Sequence, residues 1–266
     1  MTVTRNIIDI PKGSTAQARQ FDQIVVKENT LIKSSGLRIG TLIINQPDNF
    51  AGKDNFLCEL RGSDCEVGKI IIQGNANDED TRETWNKQVA SGLLVTGNNN
   101  TIGQSINQRV HIPYLSTGMN NKLGKLFAEL ASGDGFNLCN HDNEIYMADF
   151  VSLITTFPYE VYHPDIGMMY HKDGLILQNC KAYNVRYYRT GHRWEDDERQ
   201  GFLSDHKTVN CGIYNFQIPD VHPEHGCSWS DATNCTTMNL ETNGLVNFDR
   251  KAPIKIARAA RENVYV

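Results

Sequence analysis

The feature that most constrains this chain is a six-residue pattern, Asn-Cys-x-x-x-Asn, which occurs three times and is followed each time by an apolar residue. The copies are Asn179–Asn184, Asn210–Asn215 and Asn234–Asn239, and their cysteines lie 31 and 24 residues apart. Repeats of about 20 to 45 residues are typical of solenoids, in which each repeat forms one coil. The pattern therefore predicts stacked coils, with the cysteines pointing into the core and the asparagines at the corners.

From Phe21 onward, the rest of the chain is typical of short β-strands. Apolar, β-branched segments such as Ile24–Val26 and Leu42–Ile44 alternate with Gly, Asn, Asp or Pro, which favour turns. The segments Lys69–Asn75 and Gly92–Asn98 end in the same Gly-Asn pair 23 residues apart, and we interpret them as equivalent parts of successive coils. Asparagines at equivalent corners can bond to one another through their amides. We therefore predict an all-β solenoid with buried asparagine ladders at its corners.

Two further sequence patterns are the glycines that precede the repeats and one segment with helical spacing of apolar residues. A glycine opens each copy of the repeat, and we interpret Gly174, Gly201 and Gly226 as equivalent positions, with Asp134-Gly135 matching Asp173-Gly174. Helical spacing of apolar residues is found in Asn120–Ala131, which predicts a short helix or a lateral excursion from the solenoid.

The chain divides by composition into three parts. We expect an N-terminal arm or cap over residues 1–20, a parallel β-helix over residues 21–250, and a basic C-terminal cap or docking tail over residues 251–266. Long intervals between repeats imply inserted loops, of which Phe157–Lys172 and Arg189–Gln200 are the clearest. Loops on one side of a solenoid commonly build its binding face.

Composition argues against several classes of function. A net charge of -5 carries no basic footprint for nucleic acid. No apolar run is long enough for a signal peptide or a membrane span, so we expect synthesis in the cytoplasm, no membrane partner and seven reduced thiols. Outside the cell, oxidation could instead bridge Cys58 and Cys65. Nucleotide-binding and dinucleotide motifs are absent, and His222, His225 and Cys227 lack a second ligand pair, so we predict no cofactor and no metal.

A family resemblance rests on the segments His171–Leu177 and Gln200–Asp205 and on the late Asn-x-apolar coils. In these segments the chain resembles right-handed parallel β-helices of the pectate-lyase-like type, and more closely the β-helix proteins that bacteriophages encode as tailspikes, depolymerases and related virion parts. The resemblance covers about half of the chain well and implies a right-handed parallel β-helix with short lateral loops. Such proteins include polysaccharide lyases, glycoside hydrolases, epimerases and pieces without catalytic activity, so a reaction does not follow from the fold.

Candidate catalytic residues are Asp173, Asp205 and His171. Glycoside hydrolysis needs two neighbouring carboxylates, and Asp173 and Asp205 both lie beside repeat positions at the margins of the inserts. Asp134 occupies a comparable place. A β-elimination needs a base with a pKa near neutral, for which His171 is the candidate. The alternative is that these aspartates only cap turns and that the histidine lies on the surface.

Candidate substrate-binding residues lie in and beside the two inserts. Tyrosine and tryptophan rings stack on the CH faces of sugars, and arginine pairs with the carboxylates of uronates. The residues expected to bind substrate are Tyr159, Tyr162, Tyr170, Arg189, Arg193 and Trp194.

The family resemblance, together with the lack of a signal-peptide segment and the basic C-terminal tail, implies a virion structural protein of bacteriophage type, a tail or surface component whose β-helix contacts polysaccharide. Its expected partners are polysaccharide or other virion proteins, its expected location is the virion, and we expect a homo-oligomer, trimeric or embedded in a larger assembly. An enzyme that cleaves or epimerises an acidic polysaccharide is the alternative. A third, different hypothesis is a β-helix scaffold with neither partner.

Overall fold

The computed structural model of the protein describes residues 5–11, 14–77, 79–156, 164–195, 199–205, 207–219, 221, 226–242, 246–248, 255–256 and 259–260. These residues form an all-β parallel β-helix, which confirms the predicted fold class. Each coil contributes strands to two long sheets, and each strand pairs in parallel with the equivalent strands of the coils before and after it.

The first sheet has ten strands within the described residues. In spatial order they are β1 (Arg5–Ile8), β3 (Asn29–Ile32), β5 (Gly52–Leu60), β7 (Ala90–Val95), β9 (Tyr114–Ser116), β11 (Phe136–Leu138), β14 (Asp165–Met169), β18 (Gln200–Ser204), β21 (Cys227–Trp229) and β24 (Val246–Phe248). Residues 5–8 of the expected N-terminal arm or cap thus pair with β3 as the first strand of this sheet.

The second sheet is larger, with thirteen described strands. They are β2 (Gln20–Val26), β4 (Arg38–Asn45), β6 (Glu66–Gln73), β8 (Thr101–Gln108), β10 (Lys122–Glu129), β12 (Glu144–Ile145), β13 (Ala148–Val151), β16 (Lys181–Tyr183), β17 (Val185–Tyr188), β20 (Gly212–Ile218), β23 (Thr236–Thr242), β25 (Lys255–Ile256) and β26 (Ala259–Ala260). A third sheet of three short strands joins the late coils: β15 (Leu177–Gln178), β19 (Thr208–Val209) and β22 (Ala232–Thr233). In the expected C-terminal tail, β25 and β26 both pair with β23.

The predicted helix at Asn120–Ala131 is wrong, because this segment contains β10. Leu123 and Leu126 both point into the core, and the two residues between them, Gly124 and Lys125, both lie on the outer side of a bend. This extra outward residue changes the alternation of a strand into a spacing of three, which resembles a helix.

An α-helix occurs elsewhere, at Arg82–Gln88, where α1 projects from the solenoid. The Thr81 side chain caps it by accepting a hydrogen bond from the backbone N–H of Thr84 at 3.1 Å. A single turn of 3-10 helix spans Gln17–Arg19.

The strand register confirms some predicted equivalences and corrects others. Lys181 pairs with Gly212 and Gly212 with Thr236, which places the three Asn-Cys pairs on successive coils as predicted. The match between Lys69–Asn75 and Gly92–Asn98 is wrong, because the first segment lies in the second sheet and the second lies in the first sheet.

The glycine equivalences are also partly wrong. Gly201 and Gly226 are stacked, since a Cβ atom on Gly201 would come within 1.9 Å of the Gly226 carbonyl oxygen. Gly174 lies in a turn before β15, and the aspartate equivalent to Asp134 is Asp165 rather than Asp173. The sequence match at Asp173-Gly174 therefore does not reflect the same place in the coil.

One column of buried side chains runs through the coils at the entrance to the second sheet. We call it the inner column; it consists of Leu37, Cys65, Asn100, Asn121, Asn143, Cys180, Cys211 and Cys235. Each asparagine in it accepts a hydrogen bond from the backbone N–H of the preceding coil, as from Asn100 to Asn121 and from Asn121 to Asn143, both at 3.0 Å. In the cysteine part, the sulfur of Cys211 lies 3.4 Å from the backbone nitrogen of Cys180.

The residue before each member of the inner column has a left-handed backbone. These residues are Gly36, Asp64, Asn99, Asn120, Asp142, Asn179, Asn210 and Asn234, with φ between 52° and 67°. Gly, Asn and Asp tolerate this conformation better than other residues. Their side chains form the predicted ladder, for example from Asn120 Nδ2 to Asn99 Oδ1 at 3.0 Å, but the ladder is exposed and the predicted burial is wrong. The asparagine of each Asn-Cys pair is thus required by the turn, and the cysteine by the core.

We expect Asn121→Ala to lower the free energy of unfolding by about 3 kcal/mol, since it leaves buried backbone groups of Asn100 and Gly97 without their partner. Gln104→Ala, on the outward side of the preceding coil, should change it by less than about 0.5 kcal/mol. Denaturant unfolding followed by circular dichroism measures both. Equal destabilisation by the two variants would contradict a structural role of the inner column.

Candidate functional site

Among the described residues, the surface best suited to bind a ligand is the outward face of the second sheet. At the bend of each coil from β4 to β23 two consecutive residues face outward, and in the late coils the first of these is Tyr146, Tyr183, Tyr214 or Met238. The second is Met147, Asn184, Asn215 or Asn239. Because equivalent residues stack in a β-helix, the bend aligns an aromatic column beside an amide column.

The three tyrosines form one stack along the solenoid. The ring centroids of Tyr146 and Tyr183 are 5.8 Å apart with planes 7° from parallel, and those of Tyr183 and Tyr214 are 4.8 Å apart at 15°. Offset stacking of this kind stabilises neighbouring aromatic rings. Tyr146 ends the stack and is 42% exposed. Its neighbour in the preceding coil is Gly124, which has no side chain to cover the other ring face.

The hydroxyl groups of Tyr146 and Tyr183 remain protonated at neutral pH. Tyr146 donates to the carboxylate of Glu144 at 2.6 Å, and this hydrogen bond raises the pKa of Tyr146 to about 12. The pKa of Tyr183 is also raised, first by burial and then by Glu144 and Tyr214. Glu144 in turn lies 4.0 Å from the ammonium groups of both Lys122 and Lys181. The edge of the stack is therefore a row of polar groups of mixed charge.

A groove of about 580 Å³ lies beside the stack. We call it the amide groove; its lining is Met147, Asn184, Arg186, Asn215, Gln217, Asn239, Leu240 and Glu241. The three asparagines have left-handed backbones, and their amides are linked, with Asn215 Nδ2 donating to Asn184 Oδ1 at 2.9 Å and Asn239 Nδ2 to Asn215 Oδ1 at 2.8 Å. This ladder fixes the amides in one orientation along the groove.

The single guanidinium of the amide groove is already paired. Arg186 contacts the carboxylate of Asp149 at 2.8 Å, and Asp149 also lies 3.2 Å from Lys125. The lining offers amide donors and acceptors from Asn184, Asn215, Gln217 and Asn239, and its cationic group is compensated within the protein. Such a surface suits a ligand with many hydroxyl groups better than one with a carboxylate on every unit.

A second groove, of about 600 Å³, runs along the early coils in the same column as the tyrosines. We call it the glycine groove; it is open because the column consists there of Gly40, Gly68 and Gly103, and Gly124 continues the column beyond the groove. A Cβ atom on Gly68 or Gly103 would lie 2.6 or 2.5 Å from the carbonyl oxygen of the preceding glycine, so a larger residue does not fit. The glycine groove and the tyrosine stack thus lie along one track, the same column of the solenoid, with Gly124 between them.

The predicted catalytic residues lie outside this track. Asp173 is exposed, and its carboxylate pairs with Lys172 at 2.9 Å. His171 is 6% exposed, and its Nδ1 accepts a hydrogen bond from the backbone N–H of Asp173 at 3.2 Å. A neutral imidazole that accepts at Nδ1 carries its proton on Nε2, where it cannot accept another. Its pKa is lowered by burial and by His141, whose ring centroid is 5.2 Å away.

Asp205 is exposed and follows β18, at the position that pairs with Tyr170 in the preceding coil. The structure thus brings His171 and Asp173 together through a backbone hydrogen bond and places Asp205 on the next coil. Tyr170 is half-buried, and its pKa is well above the usual range because of burial and the neighbouring Cys139 thiol.

Three of the other predicted binding residues, Arg189, Arg193 and Trp194, lie in the second insert. Trp194 is buried and packs edge-on against Trp85 of α1, with centroids 5.6 Å apart. Arg193 donates to the carbonyl oxygen of Asp80 at 2.6 Å and lies over the Trp194 ring at 4.6 Å. Arg189 is exposed. These contacts attach the insert to α1 as a lateral lobe. Tyr159 and Tyr162 lie outside the described residues.

Asp134 belongs to a buried polar cluster rather than to a surface site. Its carboxylate accepts from the backbone N–H of Asp165 at 3.0 Å and from Asn137 at 2.9 Å. Burial and the nearby Asp134 raise the pKa of Asp165. Arg199 is buried beside them and donates to two backbone carbonyl oxygens. The cluster joins two coils under the first sheet.

Tyr146 and Tyr214 were not among the predicted binding residues, and the asparagines of the repeat were interpreted as scaffold. A signal was present in the sequence: Cys180–Asn184 and Cys211–Asn215 share Cys-x-x-Tyr-Asn. Only the position of the bend shows that both the tyrosine and the asparagine face outward.

Neither a metal centre nor a membrane-spanning helix is found in the described ranges. They contain no group of three or more His, Cys, Asp or Glu side chains arranged to hold a metal ion. Their helices are too short and too polar to cross a bilayer.

His111 gives the fold a pH dependence. It is buried, its Nδ1 lies 3.1 Å from the Ser132 hydroxyl, and its pKa is lowered to about 3 by burial and then by Lys53 and Arg199. An unfolded histidine has a pKa of about 6.5, so as the pH falls below this value only the unfolded chain takes up the proton. The stability due to His111 is therefore present above pH 6.5 and is lost towards pH 3.

We expect His111→Gln to flatten this dependence, by about 2 kcal/mol at pH 4.5 relative to pH 7.5. Urea unfolding of variant and wild type at both pH values measures it. Asp165 contributes to both proteins with the opposite sign, so the difference between them isolates His111. Parallel pH profiles would contradict the assignment.

Comparison with protein-family models, curated proteins and solved structures finds no match to this chain.

Proposed function

We propose that the protein is a non-catalytic β-helix that contacts polysaccharide along the outward face of its second sheet, as a surface or tail component of a bacteriophage-type virion. The observation that carries the polysaccharide contact is the stack of Tyr146, Tyr183 and Tyr214 beside the amide groove. Sugars combine apolar CH faces with hydroxyl groups, so an aromatic surface next to fixed amides matches both parts.

The contact begins at Tyr146, whose ring face towards Gly124 is available for a sugar ring in the glycine groove. The polymer then passes the phenol edges, where Glu144 and the tyrosine hydroxyls bond to its hydroxyl groups. Its other edge meets the amides of Asn184, Asn215 and Asn239. Because the cation of this groove is compensated by Asp149, a neutral polymer is favoured over an acidic one.

The virion location and the homo-oligomer belong to the same proposal and rest on the resemblance described above. An oligomer is tested directly by light scattering of the purified protein, where the mass of a single chain at micromolar concentration would contradict it.

The alternative of an enzyme on an acidic glycan draws less support from the geometry. Asp173 is paired with Lys172, and His171 accepts a hydrogen bond at the nitrogen that a neutral base would use. Incubation with alginate and with purified bacterial capsules, followed by assays for reducing ends and for the ultraviolet absorbance of unsaturated uronates, tests it. We expect no product, and turnover of any of these polymers would overturn the non-catalytic assignment.

We expect Tyr146→Ala to weaken binding to the preferred polysaccharide about tenfold, which is the loss of one aromatic stacking contact of about 1.4 kcal/mol. The probes are dextran, mannan, alginate and purified capsules, measured by affinity electrophoresis and then by calorimetry with the best ligand. Met119→Ala is the matched control, because Met119 is equally exposed, at 42%, but lies at another corner.

A second variant tests the amides separately. Asn215→Gly removes one amide while glycine retains the left-handed backbone, with φ of 58° at this residue. Binding should weaken while the melting temperature changes little. Unchanged affinity in both Tyr146→Ala and Asn215→Gly, or equal losses in Met119→Ala, would refute binding at this face.

A further inference from the structure

The three cysteines of the repeat are successive members of the inner column. Cys180, Cys211 and Cys235 are all at most 2% exposed, and all seven cysteines of the chain are free thiols in this structure. The thiol of Cys211 lies between the other two and is hydrogen-bonded to both of them. We call these three residues the thiol triad.

The geometry of the thiol triad fits a disulfide bond. Lys181 pairs with Gly212 and Gly212 with Thr236, so the cysteines that precede them are also direct neighbours in parallel strands. Neighbouring strands are about 4.8 Å apart, and a disulfide joins Cα atoms about 4.4 to 6.8 Å apart. Two neighbours on one column, with the Cys211 sulfur 3.4 Å from the backbone nitrogen of Cys180, need little movement of the backbone.

In the strand register the other four cysteines lie beside residues other than cysteine. Cys65 lies in the same column but is separated from the triad by Asn100, Asn121 and Asn143. Cys58 and Cys227 lie in strands of the first sheet, paired with other residue types. The triad is therefore the place where two coils can be joined covalently.

We propose that the thiol triad is an oxidation site, at which Cys211 forms a disulfide with either Cys180 or Cys235 when the protein meets a disulfide oxidant. The Cys211 thiolate attacks the oxidant, for example oxidised glutathione, and releases one reduced thiol. The thiolate of a neighbouring cysteine then attacks the mixed disulfide at Cys211 and releases the second. The protein loses two electrons and two protons, and the oxidant is reduced to two thiols.

The third cysteine makes the bridge movable. When Cys180 and Cys211 are joined, the Cys235 thiolate can attack the Cys211 sulfur, form the new bond and release Cys180 as a thiolate, which takes up a proton. No net oxidation occurs in this exchange. One bridge per chain is thus shared between two positions, and it closes a loop of 31 or 24 residues between neighbouring coils.

Oxidation of the folded protein is expected to be slow. The hydrogen bond with Cys180, and then burial, raise the pKa of Cys211, and the hydrogen bond with Cys211 and burial raise that of Cys235. Only the thiolate reacts, so the bridge forms when these coils open locally. Once formed, it restricts the unfolded chain and stabilises the late coils, which carry the amide groove.

The test is incubation of the full chain with oxidised glutathione, alkylation of the remaining thiols, digestion without reduction and peptide mapping by mass spectrometry. We expect two linked species, Cys180–Cys211 and Cys211–Cys235, with five of the seven cysteines alkylated in each molecule. The melting temperature of the oxidised protein should exceed that of the reduced protein.

Variants distinguish the triad from accidental oxidation. Cys211→Ser should abolish bridging, Cys180→Ser should leave only Cys211–Cys235, and the matched control Cys139→Ser should retain both species. If Cys211→Ser does not fold, the comparison of Cys180→Ser with Cys139→Ser carries the test. Seven alkylated cysteines after incubation, a Cys58–Cys65 bridge in place of the triad, or both species persisting in Cys180→Ser would overturn the proposal.

Discussion

The fold depends on one hydrogen bond that recurs at the entrance to the second sheet, where the backbone N–H of one coil is bound by a side chain of the next. A buried N–H without a partner is costly, and the bend at this place leaves the ordinary strand pairing unable to satisfy it. In the middle coils the acceptor is the amide oxygen of Asn121 or Asn143, and in the late coils it is the sulfur of Cys211. Asparagine and cysteine are thus two solutions to the same requirement, and both are short enough to remain inside the core.

This bond also explains how a scaffold position and a surface position come to be linked. The left-handed residue before the inner column turns the chain, and the column residue holds the preceding coil in register. The two consecutive outward residues at the bend that follows begin the candidate binding face. Because Cys180 points into the core at the entrance to the strand, the bend three residues later turns Tyr183 and Asn184 towards solvent. The contact surface is therefore a direct product of the repeat, rather than of the loops that interrupt it.

Much of the coil architecture could be predicted from the sequence, and the reasons for the failures are physical. The Asn-Cys pairs were placed correctly because their residue types are dictated by a turn and a buried pocket in every coil. Gly174 and Lys69–Asn75 were aligned wrongly because turn residues recur at several corners of one coil, and spacing alone does not say which corner. The helix predicted at Asn120–Ala131 is wrong because Gly124 and Lys125 both face outward, and this extra outward residue gives the apolar residues a helix-like spacing. The tyrosine stack escaped prediction because its members are 37 and 31 residues apart and meet only after the coils are stacked in register.

The spacing between the inner column and the amide column has an evolutionary consequence. Successive coils differ in length from 21 to 37 residues, yet the second outward residue always follows the column residue by four positions, as in Asn121 to Lys125 and Cys235 to Asn239. All variation in length is confined to the remainder of each coil. A duplication or loss of one whole coil would add or remove one groove residue and leave the groove residues of the other coils unchanged. The groove can therefore be adapted to longer or shorter ligands one coil at a time. The lateral loops can change in sequence and length without changing the spacing between successive groove residues.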